Sequence, residues 1–515
     1  MNAIADCSVS ENEVRTARPP ARSLLHKTGW STVATASLVI GRFGVTVFTA
    51  RHLGPSGAGR LAYLLWIQEM VATVTGFGLQ SCVTRFVADL TGRGAADEGQ
   101  SLAAWLYVRY LALALAGGIG ISLVAVQTWR PVADPVVWIA LGIGLVAQAM
   151  GAFYTAYLAG RQEFDRIARM NTISSVALVA GAALGMLWWG TAGILLGYAA
   201  GSALPALASL RLLRRRSRVA DVDRGRSRSC LQYAAYAWCA AIVSACVWSR
   251  IEVVFLERYW GSQEVAMFSI GLTLSALATQ VPMLMSTALM PHFAESAARS
   301  GADRRTYASA TRLLAALLFP LCLGTASLVP TLLPAVYGPA FRAAVPNAMV
   351  LTAFSALSLM SVGSALVYAS GRAWFIAASG LAGAILSLAG CAAVIPIWGA
   401  WGASLSRSAV QTAMAILGTW YIHRHLGCPA PLRALAKILA ASAMAALASY
   451  AVVTRFPTMA AMALAIPLAA VVYLVMLRLT HALDAGDAVS LRSASSRMPA
   501  MLAAPVSGLL EWLAI

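Results

Sequence analysis

Apolar runs of about 20 residues, long enough to cross a ~30 Å hydrocarbon layer as a helix, alternate along this chain with short polar stretches. The pattern predicts helices over 29–50, 61–88, 101–128, 134–159, 171–189, 190–210, 231–257, 264–292, 307–333, 346–370, 373–396, 398–422, 436–454 and 458–478. These fourteen spans predict an all-α polytopic membrane protein. The shortest separation is "WWGTAG" (188–193), a turn set between two apolar runs. The first run is too long for a signal-peptide core and reads as an uncleaved span.

Basic residues gather in alternate connections: 160–169, 211–228 with its eight arginines, 299–305 and 423–437. The opposite turns carry single charges such as Arg130, Arg342 and Arg455. Such asymmetry places the basic side in the cytoplasm, with both termini there because the span count is even. Residues 1–28 form a cytoplasmic tail, 211–228 a basic linker and 479–515 a second tail. The run at 498–515, broken by Pro499 and Pro505, is expected along the interface.

The chain echoes itself. "GRFGVTVFTARHLGPSGAGR" (41–60) returns in "SRIEVVFLERYWGSQEVA" (249–266) at an offset of 207, pairing Phe48 with Phe255, Arg51 with Arg258 and Gly54 with Gly261. Farther on "YLAGR" (157–161) matches "YASGR" (368–372), and "WGTAG" (189–193) matches "WGAWG" (398–402). The shared order predicts two homologous six-helix lobes, 29–210 and 231–422, with a helix pair (436–478) added outside the repeat. Six spans per lobe bring the second lobe in from the same side. The lobes are then related by a pseudo-two-fold axis along the membrane normal, with a cavity between them.

Composition narrows the function. The 515 residues are 59% hydrophobic and 11% charged, with a formal charge of +18 that is almost all arginine, since Lys27 and Lys437 are the only lysines. The arginines lie between apolar spans, where they set topology; a nucleic-acid partner is not expected. The eight cysteines include no CxxC pair and stand near no histidine cluster, so no metal and no cofactor is expected. No HExxH, Walker loop or GxSxG elbow occurs, and no connection is long enough to hold a soluble active site, which argues against an enzyme.

The turn from Arg51 to Gly59, the following span ending "TRFVAD" (84–89), and "VPMLMSTALMPHFAE" (281–295) resemble polysaccharide and O-antigen flippases of the multidrug/oligosaccharidyl-lipid/polysaccharide exporter superfamily. The echo is degenerate, with Ser262 and Ala266 in place of Pro55 and Gly59. The resemblance covers about residues 29–425. It implies flipping of an undecaprenyl-diphosphate-linked oligosaccharide across the bacterial inner membrane, for exopolysaccharide or O-antigen synthesis. It also implies contact with membrane lipids, a polysaccharide polymerase and a chain-length regulator. A lipid II flippase, which the span count also fits, is the alternative; a cation-coupled multidrug exporter is the third reading.

Charges inside spans point to the substrate. Arg42 lies nine residues before Arg51, roughly 13 Å deep in a ~30 Å core, and Arg250 stands eight before Arg258. Each costs on the order of 2.5–3.5 kcal/mol unless it meets water or a partner. A diphosphate calls for multi-donor cations that keep their charge, which guanidinium supplies. Arg42, Arg250 and Arg407 are the candidate substrate-binding residues, and Glu69 and Glu252 the candidates for ion coupling or structural pairing. Glu69, at a depth similar to Arg42, can neutralise it within a hairpin. Arg250 has no evident partner, because Glu252 two residues on faces elsewhere on a continuous helix. Gln68, Gln148, Gln280 and Gln411 suit helix–helix hydrogen bonding. Trp and Tyr near span ends read as interfacial anchors.

Overall fold

The computed structural model describes residues 21–128, 134–214, 224–248, 250–287 and 304–481. Most of the N-terminal tail, the middle of the basic linker, His292 and the end of the 281–295 motif, and the tail beyond His481 lie outside the described residues. Among the described residues all regular structure is helical. The helices are α1 (Ala21–Gly76), α2 (Leu79–Gly92), α3 (Ala96–Thr128), α4 (Pro135–Gly160), α5 (Phe164–Arg214), α6 (Arg224–Trp248) and α7 (Glu252–Tyr259). There follow α8 (Ser262–Thr287), α9 (Arg304–Tyr337), α10 (Val345–Phe354), α11 (Met360–Ala369), α12 (Ala373–Leu426), α13 (Leu432–Arg455) and α14 (Met459–Leu479).

Eight stretches among the described residues are long and apolar enough to cross a membrane, and two of them, Phe164–Leu212 and Trp374–Leu426, run for 49 and 53 residues. A straight helix of that length would reach over 70 Å, more than twice a bilayer core. Each is instead folded back at a glycine with positive φ, Gly190 (φ 54, ψ −128) and Gly399 (φ 54, ψ −135). A Cβ on Gly185 would stand 2.2 Å from the Gly193 carbonyl, and one on Gly402 2.7 Å from the Val394 carbonyl. The arms of each hairpin therefore touch backbone to backbone, an approach that small residues permit between membrane helices. α1 breaks the same way at Gly54 (φ 67), as expected from the Arg51–Gly59 turn.

The echo in sequence is also an echo in backbone. Gly190 and Gly399 stand 209 positions apart with nearly the same φ and ψ. At the α4–α5 turn, Arg161, Gln162 and Glu163 donate their N–H groups to the carbonyls of Tyr157, Ala159 and Leu158. At the α11–α12 turn, Ser370, Gly371 and Arg372 donate in the same order to Leu366, Tyr368 and Val367. That turn too recurs at 209, so Gln162 (φ 59) corresponds to Gly371 (φ 71). The letter match of Gly160 to Gly371 is off by two.

Three predicted spans are broken. The 61–88 span divides into the second arm of α1 and α2 at Phe77–Gly78, both at positive φ. A Cβ on Gly78 would lie 2.2 Å from the Ala234 carbonyl of α6, so close approach between segments fixes the kink. The 231–257 span divides into α6 and α7 around residue 250. The 346–370 span passes through a 3-10 turn at Ser355–Leu359. The N-terminal and C-terminal halves meet at several places, of which two show how closely they pack. At one, Gly59 packs on the Ser262 carbonyl with no room for a Cβ. At the other, Trp238 Nε1 donates to the Val74 carbonyl at 2.9 Å. The added pair α13–α14 docks on α9, where Tyr473 donates to the Ala316 carbonyl at 2.6 Å.

Candidate functional site

Arg250 sits where the α6–α7 path is interrupted. Its carbonyl accepts from Val253 N–H as α7 starts, and its side chain is half-buried. Neither Gly nor Pro occurs at 248–251, so local propensity does not explain the break. Interrupted helices that carry charge at mid-membrane are a feature of transporter binding sites. Glu69, Arg407, Tyr198 and Glu252 all lie within electrostatic reach of the Arg250 guanidinium. Tyr198 in turn feels both Arg42 and Arg250. The five charged residues singled out from sequence, drawn from α1, α12 and the α6–α7 path, thus share one neighbourhood.

Within it the pairing differs from the sequence expectation. Among the described residues Arg42 and Glu69 form no ion pair, and both are exposed. The pair that does form is Arg407 Nη1 to Glu252 Oε1 at 2.9 Å, with the two side chains 12% and 1% exposed. The expectation that Glu252 faces away assumed an unbroken helix. The break at 250 resets the helical phase, and Glu252, in the first turn of α7, is delivered to α12 instead. Arg407 is therefore neutralised locally, and Glu252 Oε2 is left buried without a partner. Arg250 has no carboxylate within ion-pair distance among the described residues.

Two residues of the neighbourhood escaped the sequence reading. Tyr198, eight residues past the Gly190 turn, is not an end-of-span anchor, and that distance is the signal that could have found it. Tyr337 is 1% exposed with an unpartnered hydroxyl within reach of Arg250; nothing in its local sequence marks it. Two of the four glutamines meet each other. Gln68 Nε2 donates to Gln148 Oε1 at 2.6 Å, a helix–helix link. Two further arginines lie on aromatic rings, Arg85 4.4 Å from the Tyr233 centroid and Arg109 3.5 Å from that of Trp105.

The family described as polysaccharide biosynthesis protein matches residues 24–297. No curated protein sequence matches the chain. Among solved structures, the lipid II flippase MurJ in an inward closed conformation superposes with a TM-score of 0.68 at 14% identity, covering 87% of this chain and 97% of that one. An inward-facing multidrug resistance MATE family transporter of the MOP superfamily gives 0.61 at 13% identity, with coverage of 77% and 98%. A MOP superfamily transporter from Pyrococcus furiosus, with a binding pocket of reverse polarity, gives 0.56 at 14% identity, with coverage of 80% and 96%. The fold is that of these transporters.

Proposed function

The chain belongs to the polysaccharide biosynthesis protein family, and on that basis we propose that it flips a lipid-linked oligosaccharide across a membrane. The ligand in this reading is an undecaprenyl-diphosphate-linked repeat unit, moved outward across a bacterial inner membrane for exopolysaccharide or O-antigen assembly. The protein is a transporter. The observation that carries the reading is Arg250: a guanidinium at a helix interruption in mid-span, without an ion-pair partner among the described residues. Arg42 and Arg250 both lie within electrostatic reach of Tyr198. Two fixed cations in one neighbourhood suit a diphosphate, whose oxygens accept several N–H bonds at once. A cavity built for organic cations would call for the opposite sign.

Movement follows from the halves. In this reading lobes 29–210 and 231–422 rock about a pseudo-two-fold axis and expose Arg250 to either side in turn. The recurring glycine turns support that symmetry. Both termini lie in the cytoplasm, and a polymerase and chain-length regulator receive the product on the far side. One observation favours a second reading, lipid II as the cargo: the chain's likeness to the lipid II flippase extends over 87% of its length.

Deleting the gene and extracting the lipids tests the reading. Accumulated undecaprenyl-diphosphate carrying a completed oligosaccharide, in living cells that have lost surface polysaccharide, is the expected result. A deletion that cannot be obtained would favour lipid II. Normal lipids with new sensitivity to cationic drugs would overturn both.

A further inference from the structure

Between the two halves, at the end of the molecule marked by the Gly54 turn, lies a crevice of about 490 Å³ lined by Ala50, Arg51, Gly54, Tyr337 and the 334–341 turn. Arg51 bridges it. Its Nε donates to the Val336 carbonyl at 2.7 Å and its Nη2 to the Ala335 carbonyl at 2.5 Å. These carbonyls belong to the last turn of α9, the end where a helix leaves acceptors free and attracts cations. The next residue is Tyr337. Its ring wedges between Phe43 and Phe341, with centroids 6.2 and 6.1 Å away. It lines the crevice on one side, and on the other its unpartnered hydroxyl lies within reach of Arg250. Gly338 follows at φ 105, a backbone conformation that glycine takes at little steric cost.

We infer that Arg51 is a second anion station, on the route between Arg250 and the surface, and that the Ala335 and Val336 carbonyls occupy it when no ligand does. A guanidinium that releases two carbonyls for two phosphate oxygens keeps its hydrogen-bond count and gains charge pairing. Release frees the end of α9 and with it the Tyr337 plug. The anion leaving Arg250 therefore unlatches its own exit. The identity of the anion and its passage from Arg250 rest on the function proposed above; the Arg51 latch does not.

The test is labelling of Ala50→Cys by a membrane-impermeant maleimide, in full-length protein in proteoliposomes with the exposed Cys239 changed to Ser. Ala50 is 1% exposed while the latch is closed, so labelling should be slow. Arg51→Ala removes two charge-assisted bonds and should raise the rate about tenfold or more without ligand. Inorganic diphosphate should raise the rate in the Arg51 protein. It should have no effect in Arg51→Gln, whose neutral amide can still reach a carbonyl and hold the gate nearly shut. An unchanged rate in Arg51→Ala would overturn the latch. Diphosphate acting equally on Arg51→Gln, or on neither protein, would overturn the station. An Arg250→Ala variant separates the two proposals: if it still opens with diphosphate, Arg51 binds the anion whatever the central site does.

Discussion

Two arginines in the C-terminal half, Arg250 and Arg407, are both charges set within apolar spans, and the fold treats them in opposite ways. Arg407 lies on a continuous stretch of α12, nearly buried, with its Nη1 2.9 Å from Glu252. Arg250 lies at an interruption, half-buried, with no ion-pair partner among the described residues. Depth in the membrane is thus not what marks a functional charge. A buried charge that is paired holds helices together; in the function proposed, the one held without an ion pair beside a backbone break is the one left for a ligand.

Breaking the buried pair should have the largest effect on the folded protein. Arg407→Ala strands Glu252 in an apolar setting, at about 3–5 kcal/mol. It should lower the thermal midpoint of the purified protein and its level in the membrane, and replacing both residues by Met should restore most of the loss. A midpoint unchanged in Arg407→Ala would mean that the pair is not structural. Arg250→Ala should do the reverse: normal protein level and midpoint, with surface glycan export abolished. Arg250→Lys, which keeps the charge but not the forked donors, should retain partial export. Equal export in all three proteins would remove Arg250 from the site.

Smaller contrasts sharpen the same distinction. Glu264 Oε2 accepts from Ala400 N–H at 2.8 Å and would lie 2.9 Å from a Cβ on Gly399, whereas nothing lies within 4 Å of one on Gly190. The backbone angles at the two glycines are nearly the same, so both Ala substitutions carry about 1–2 kcal/mol of left-handed strain. Gly399→Ala should then be measurably less stable than Gly190→Ala in parallel melts. The neutral pair is the smallest case. Gln68→Ala leaves Gln148 without its donor, at about 1 kcal/mol, and export should persist.

The linear chain determined where the apolar segments run and where the glycine hairpins turn, though not where three of the segments break. Apolar length fixes a span, because hydrocarbon rewards about 20 such residues and penalises any unbonded backbone. Glycine marks the folds at 54, 190 and 399, because few other residues take a positive φ at low cost. The neighbourhood of Arg42, Arg250 and Arg407 was legible for the same reason, since charge inside a span is costly enough to need an explanation. The tertiary structure decided what each charge does. Glu252 meets a partner 155 positions away, and Arg51 finds carbonyls 284 and 285 positions away. The helix break that turns Glu252 towards α12 has no glycine or proline to announce it. Helical phase predicts neighbours only while the helix continues, and at 250 nothing in the local sequence says that it stops.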